Sequence, residues 1–395
     1  MKRVALVTCY FQPNYGSQLQ AYATQLVFDK LGVANETILI DGLKGEINSA
    51  KYQYFLSRIW DINTVKDKFA TVKKVVAEKV ASHEHKENMA TRCSMFNTFS
   101  SSMFSLSKYY GSKAELSSQA HHYAAFVVGS DQLWLPSNIA ADYYTLNFVP
   151  KEVPKIALST SFGVSSLPRK QAEAAGRFLN RLDFCSVREE SGKRLIKEVS
   201  GRDVPVVCDP TILFTAEQWS EIVPQERFYN EKYLFCYFLG NNPEQRDFVR
   251  RVKRATGYKI VQLQHCDEYI KSDVGFADLT PYNVGPVEFV QLIRDAEYVF
   301  TDSFHASVFS LLNHKEFFTF RRYCNDGVVS TNGRLYSLLS LVGQSERLLK
   351  GDEEVGEELA KEINYNSVDN ILADLRAFTF DYIKKALAES GIDTI

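Results

Sequence analysis

The sequence predicts an α/β protein of two units, each a parallel sheet covered by helices. Three observations carry this. Short apolar runs alternate with helix-periodic stretches through most of the chain. The alternation restarts after Asp209-Pro210-Thr211, so the first unit spans 1–215 and the second 216–395. And 395 residues are too many for one comfortable core and too few for three.

In chain order, VALVTCY reads as a buried strand, ended by the turn cluster FQPNYGSQ with Pro13, Asn14 and Gly16. Leu19, Tyr22, Ala23, Leu26, Val27 and Leu31 then recur at helical spacing, and Gly32 closes that helix. A second strand is expected at ETILID. Residues 45–120 break the pattern and read as a helical insertion in the first unit. Inside it Val65, Phe69, Val72, Val76 and Val80 form a stripe laced with Lys66, Lys68, Lys73, Lys74 and Lys79. Its bland reading is a solvated helix face; its sharper one is a basic surface in weak contact with anionic lipid.

Strand-like runs return in AAFVVGSDQLW, KIALSTSFG, DFCSVREES and VPVVCDPT, with helices at PRKQAEAAGRFLNRL and SGKRLIKEVSG. The second unit repeats the scheme. KYLFCYFLG, YKIVQLQ, YVFTDSF and EFFTF read as strands; PEQRDFVRRVKRATG, PVEFVQLIRDA and HASVFSLLNH read as helices. A closing helix, SVDNILADLRAFTFDYIKKALAES, is expected to start from Ser367 as N-cap. In sheets of this kind ligands meet the carboxyl ends of the strands.

Composition narrows the function. A net charge of −2 excludes the strongly basic surface of a dedicated nucleic-acid binder, while leaving room for a small anion held by a few arginines. The seven cysteines are scattered, odd in number and without a C-x-x-C pair, the usage of a reducing compartment. MKRVALVTCYF lacks the pattern of a signal peptide, and no apolar stretch nears the roughly 20 residues of a membrane span. A cytoplasmic protein is expected, with the inner membrane face as the site of any lipid contact. Neither H-E-x-x-H nor C-x-x-C spacing occurs, so no metal is expected. The Walker lysine, the G-x-G-x-x-G loop after the first strand and the G-x-S-x-G elbow are missing too, against nucleotide hydrolysis, dinucleotide binding and serine hydrolysis.

Four motifs offer chemistry. In VVGSDQLW, Gly129 permits a sharp turn off a strand, after which Ser130, Asp131 and Gln132 project from its end, with Trp134 as a stacking or packing platform. Read alone, this serves a turn capped by Asp131 as well as a ligand loop. TDSFHASVFSLLNH places His305 at a helix N-terminus, with Asp302 and Ser303 as the natural caps. A lone histidine is usually structural. SVREES places Arg188 at a strand's carboxyl end, where its planar fork suits carboxylate or phosphate, or an ion pair with Glu189 or Glu190. Asn14, Gly16, Ser17 and Gln18 face either a sugar hydroxyl or their own helix.

Taken in order, NYGSQLQAYA, VVGSDQLW, STSFG, SVREESG, VVCDPT, GPVEFVQLIRDAEYVFTDSFHASVFSLL and NGRLYSLL resemble the polysaccharide pyruvyl transferase family. The resemblance runs through nearly the whole chain and is thinnest at residues 45–120. It implies two Rossmann-like domains facing each other across a cleft, similar to GT-B glycosyltransferases. It also implies phosphoenolpyruvate as donor, no cofactor, and a pyruvyl ketal on a sugar of a surface polysaccharide or its lipid-linked precursor, as in capsule or exopolysaccharide biosynthesis. His305 then matches the family's proposed catalytic histidine and Arg188 a donor-binding arginine. Asp131 becomes a base or a hydroxyl-orienting group. Asn14, Gly16, Gln18, Gly129, Ser130, Gln132, Ser161 and Asp302 are expected to line the cleft or meet the acceptor. Many relatives carry Arg where this chain has Ser303, so Ser303 stands at a donor-contact position. Arg321, Arg322 and Arg334 are the candidates to supply that charge, with Arg334 first among them. The competing readings are a glycosyltransferase using a nucleotide sugar and a non-catalytic glycan-binding descendant.

Overall fold

A computed structural model of the chain describes residues 2–57, 83–265, 270–322 and 333–395. The first unit holds β1 (Arg3–Val7), β2 (Asn35–Thr37), β3 (Tyr123–Asp131), β4 (Lys155–Thr160) and β5 (Phe184–Val187), in the order β2-β1-β3-β4-β5. The second holds β6 (Tyr233–Tyr237), β7 (Lys259–Gln262), β8 (Tyr298–Thr301), β9 (Glu316–Phe320) and β10 (Leu348–Leu349), in the order β10-β9-β8-β6-β7. Every pairing in both sheets is parallel. The α/β class read from the sequence is therefore the class found, with helices covering two Rossmann-like sheets.

The strands are near-continuous apolar runs because both faces of each sheet are covered. In the second sheet successive residues of β8 belong to different cores: Val299 joins the large one shared with the first unit, and Phe300 packs with Phe248 and Phe318 on the far side.

Four local expectations need correction or placement, the first being VPVVCDPT, which forms no strand and pairs only by an isolated bridge from Val206 to Val187. The second strand stops at Thr37 instead of running to Asp41: Ile38 N–H still reaches Leu6 O, but the two amides after it bond to side chains, Leu39 N–H to Ser107 Oγ and Ile40 N–H to the Tyr10 hydroxyl. The insertion contributes helices Lys44–Ser57, His83–Met103 and Lys113–Gln119, while the Val65–Val80 stripe and its lysines lie outside the described residues. The closing helix Tyr365–Glu389 is capped by Asn364, whose side chain accepts from Ser367 N–H; Ser367 sits inside the first turn. That helix returns to the first unit, where Arg376 Nε donates to Ile212 O at 2.6 Å. No helix among the described residues is long and apolar enough to cross a membrane.

Two contacts fix how the units meet. Helix Tyr15–Lys30 abuts helix Pro286–Asp295, the Tyr15 ring stacked on Phe289 at 4.6 Å and its hydroxyl donating to Val284 O. Arg92, on helix His83–Met103, donates to Gln264 O and Pro281 O, both at 2.6 Å. The N-terminus of helix Tyr15–Lys30 is thereby brought against that of helix Phe304–Leu312.

Candidate active site

The site is built where β3, β5 and β8 end. β3 closes on Gly129-Ser130-Asp131, with a cis peptide between the first two. Gly129 has φ +146°, and a Cβ there would lie 1.9 Å from Leu158 O, so only glycine fits. Asp131, at φ +74°, accepts from Ser17 Oγ at 2.7 Å and faces Arg188 Nη2 at 3.4 Å. Arg188 follows β5, is buried, and donates from Nη1 to Asp209 Oδ2 at 2.6 Å. Asp209 uses its other oxygen to take Thr211 N–H and Oγ1–H, which leaves Oδ2 directed at Arg188 and at His305 Nε2, 3.4 Å away.

His305 is the second residue of helix Phe304–Leu312, which Ser303 caps by accepting from Ala306 N–H. The approach of helix Tyr15–Lys30 is closest here: a Cβ on Gly16 would fall 2.0 Å from His305 Nδ1. Glycine at that position is therefore what lets the histidine sit between the two units. The result is one connected line, His305–Asp209–Arg188–Asp131–Ser17, reaching across the domain boundary.

The charges set one another. Burial alone would raise Asp209, but the His305 imidazole, Arg188 and the Thr211 hydroxyl outweigh it and hold the carboxyl well below its usual range. Asp131 also ends low: burial opposes its charge, and Arg188, His305, Arg334 and Ser17 together overcome that. Glu189 ends high, because burial dominates over Arg188 at 3.7 Å and the Ser161 hydroxyl at 2.7 Å. Arg334 is lowered to about 9, by burial first and by Arg188 next, with Asp131 too far at 3.9 Å to restore it.

A cavity of about 230 Å³ opens beside this line. Lys51, Arg322 and Arg334 line it together with a single carboxylate, Asp131, and with His305 and Ser303. Asp302 lies behind Arg322 and is occupied there, accepting from Leu239 and Gly240 N–H at 2.7 and 2.8 Å. A larger cavity of about 490 Å³ lies beyond Phe304 and Arg334, which border both, and Arg188 lines the larger one alone. The Phe304 ring carries both guanidinium groups, at 4.5 and 6.0 Å.

The residues expected in the cleft divide. Asn14, Asp131, Gln132, Ser303, His305 and Arg334 line it, and Gly16 packs against His305. With its amide oxygen turned toward Arg334, Gln132 accepts from Nη2 and Nε at 3.0 and 3.2 Å. Asn14 also caps its own helix, accepting from Ser17 N–H. Gln18 points away and donates to Ser100 Oγ, because helix His83–Met103 packs over that face. Ser161 turns to Glu189, and Ser130 to Ser159 O and Asp209. Trp134 is a packing residue, its indole N–H bonded to Tyr144 O and its ring against Phe162 and Phe178. Of the arginines named for the missing charge, Arg322 and Arg334 reach the cavity, whereas Arg321 lies over the Tyr336 ring. Sequence reading missed Asp209, Glu189 as a buried anion, and Lys51. The Asp-Pro-Thr turn was the one visible sign of Asp209, and nothing marked Lys51.

Charged groups gathered at the carboxyl ends of two parallel sheets place the molecule among α/β proteins that take their ligands at that edge. The comparison with known families is more specific. The family model for polysaccharide pyruvyl transferase matches residues 14–323, and the chain belongs to that family. No curated protein matches the chain in sequence. Among solved structures it is similar to a Listeria monocytogenes protein assigned as a UDP-N-acetylglucosamine 2-epimerase, at 12% identity and TM-score 0.48, covering 100% of both chains. It is also similar to the UDP-GlcNAc 2-epimerase of Neisseria meningitidis, at 10% identity and TM-score 0.45, covering 98% of this chain and 100% of that one. The glycosyltransferase SnogD of Streptomyces nogalater follows at 9% and 0.41, covering 98% and 99%. At these scores the likeness says nothing about substrate.

Proposed function

We propose that the chain transfers the pyruvyl group of phosphoenolpyruvate to a sugar of a surface polysaccharide or its precursor, closing a ketal on two hydroxyls. The observation that carries this is His305, backed by Asp209, lining a cavity whose walls also hold Lys51, Arg322 and Arg334. Addition to an enol phosphate needs those two things together: a proton for carbon, and fixed positive charge for the carboxylate and phosphate.

In the proposed sequence a sugar hydroxyl adds to C2 of the donor while C3 takes a proton and becomes a methyl group, and the hydroxyl's own proton passes to the phosphate that will depart. Inorganic phosphate leaves with the electrons of the C2–O bond. A second hydroxyl then bonds to C2 and its proton returns to His305, which completes the ketal. His305 supplies the proton to C3. Asp209, kept ionised, faces the ring at Nε2 and fixes its edge. Asp131 is too stabilised as an anion to be a strong base, so it orients the attacking hydroxyl. Arg188 and Arg334 hold the donor's carboxylate end.

Phosphoenolpyruvate should raise the melting temperature of the purified protein, and a nucleotide sugar should not, since a ligand that binds only the native state stabilises by mass action. With a glycan acceptor added, phosphate release and a product heavier by one pyruvyl ketal are expected. Stabilisation by a nucleotide sugar, with release of its nucleotide on adding acceptor, would replace this reading with glycosyl transfer. Glycan binding without turnover of either donor would make the chain a binding protein.

A further inference from the structure

We propose that Lys51 is a ligand of the donor's phosphoryl group, supplied by the helical insertion and closing the cavity opposite Arg334. Lys51 lies on helix Lys44–Ser57, in the part of the chain with the thinnest family resemblance, and its half-buried side chain lines the cavity with Ser17, Asp131 and His305.

The case rests on what Lys51 lacks. Asp131, the one carboxylate of the cavity wall, is already engaged by Ser17, Arg188 and, more distantly, Arg334. Among the described residues the one titratable group acting on Lys51 is Cys9, at the end of β1, and burial pushes the Cys9 thiol up to about 12, so it stays neutral and offers no counter-charge. Burial correspondingly lowers Lys51 from its ordinary value. A half-buried ammonium that lines a polar cavity whose one carboxylate is already engaged gains most from an incoming anion.

The kind of cation decides which end of the donor it takes. A guanidinium fork matches the planar carboxylate with paired bonds, and two such forks, Arg188 and Arg334, stand together on the Phe304 ring. An ammonium is a point charge with rotatable donors, suited to a phosphoryl group that must leave during the reaction. The donor would then be held from both units, by Lys51 in the first and Arg334 in the second. That role rests on phosphoenolpyruvate being the donor.

The test compares wild type, Lys51→Met and Lys51→Arg by calorimetric titration with phosphoenolpyruvate, inorganic phosphate and pyruvate, after thermal melts confirm folding. Lys51→Met should weaken phosphoenolpyruvate and phosphate by about 10- to 100-fold, the usual cost of one charge-assisted contact, and leave pyruvate unchanged. Lys51→Arg, which keeps the charge, should recover most of the loss, and the acceptor's KM should not move. Phosphate binding to Lys51→Met as tightly as to wild type overturns the assignment, as does an equal loss for pyruvate. If Lys51→Met does not fold, the arginine variant decides alone: phosphate affinity near wild type supports a charge contact, and affinity lost with the charge retained rejects it. A wild type that takes phosphate but not phosphoenolpyruvate removes the proposed donor while Lys51 stands on the phosphate series. A wild type that takes neither removes both.

Discussion

Arg246, buried, and Arg334, largely so, are arginines of the second unit that lie near an aromatic ring, yet they are kept in opposite ways. Arg246 has a partner for each nitrogen: Nε to Asp273 at 2.6 Å, Nη1 to Asn242 O at 2.9 Å and Nη2 to Gly240 O at 3.0 Å. Arg334 meets a neutral amide and has its nearest carboxylate at 3.9 Å, with a second cation, Arg188, working against it. A buried charge that is fully paired holds loops together; one left short of charge at a cavity wall is stabilised by what enters the cavity. Arg188 stands between the two cases, tightly paired to Asp209 while its Nε, among the described residues, makes no hydrogen bond.

The largest effect should come from the group that moves a proton. His305→Gln keeps size and hydrogen bonding and removes titration, so turnover should fall by about 10²- to 10⁴-fold with melting and donor affinity nearly intact. Steady-state kinetics at saturating donor would show this. Turnover near wild type would leave the histidine a spacer between the units, and a protein that no longer folds would make it structural.

The comparison of the two arginines predicts opposite responses. Asp273→Ala leaves Arg246 without its carboxylate and should cost about 3–5 kcal/mol of stability, with kcat per folded molecule unchanged. Arg334→Met removes a cation that its surroundings disfavour, so melting should hold or rise while donor affinity falls by about 10- to 100-fold. Denaturant titration beside donor titration separates the two readouts. A destabilised Arg334→Met protein that binds donor normally would turn the cavity wall into ordinary structure.

The sequence exposed what is periodic or local. Sheets, most helices and the position of His305 followed from apolar runs and turn residues. Arg188 was legible because it ends a strand, and the ion pair open to it there is real as well, since Glu189 does sit beside it. What stayed hidden depends on contacts between distant segments. Asp209 reads as an Asp-Pro turn because it is one, capping Thr211, and its second oxygen acquires a role only when β5 and helix Phe304–Leu312 are brought to it. Gln18 looked like a cleft residue because nothing in its neighbourhood announces that Ser100 will cover it. Lys51 was invisible because its helix exposes Tyr52, Phe55 and Leu56 as readily as its charges, which leaves no face to read.

The smallest predicted effect bears on the member of the cluster that fits neither pattern. Glu189 is buried next to Arg188 with Ser161 donating to it, yet burial wins and its folded pKa lies above the unfolded one. By linkage, the stability such a group contributes is fully present below its unfolded value and is lost as pH rises through its folded value. Asp131 and Asp209 behave in the opposite sense, losing their contribution as pH falls through their depressed values. Glu189→Gln keeps an oxygen for Ser161 and removes the charge. The variant should therefore melt slightly above wild type at pH 8, with the gap closing toward pH 4 as the wild-type carboxylate takes its proton. Thermal melts of both proteins across that range check it. A variant that melts below wild type at pH 8 would mean that the 3.7 Å approach to Arg188 outweighs burial, and Glu189 would join Asp273 among the carboxylates that hold an arginine in place.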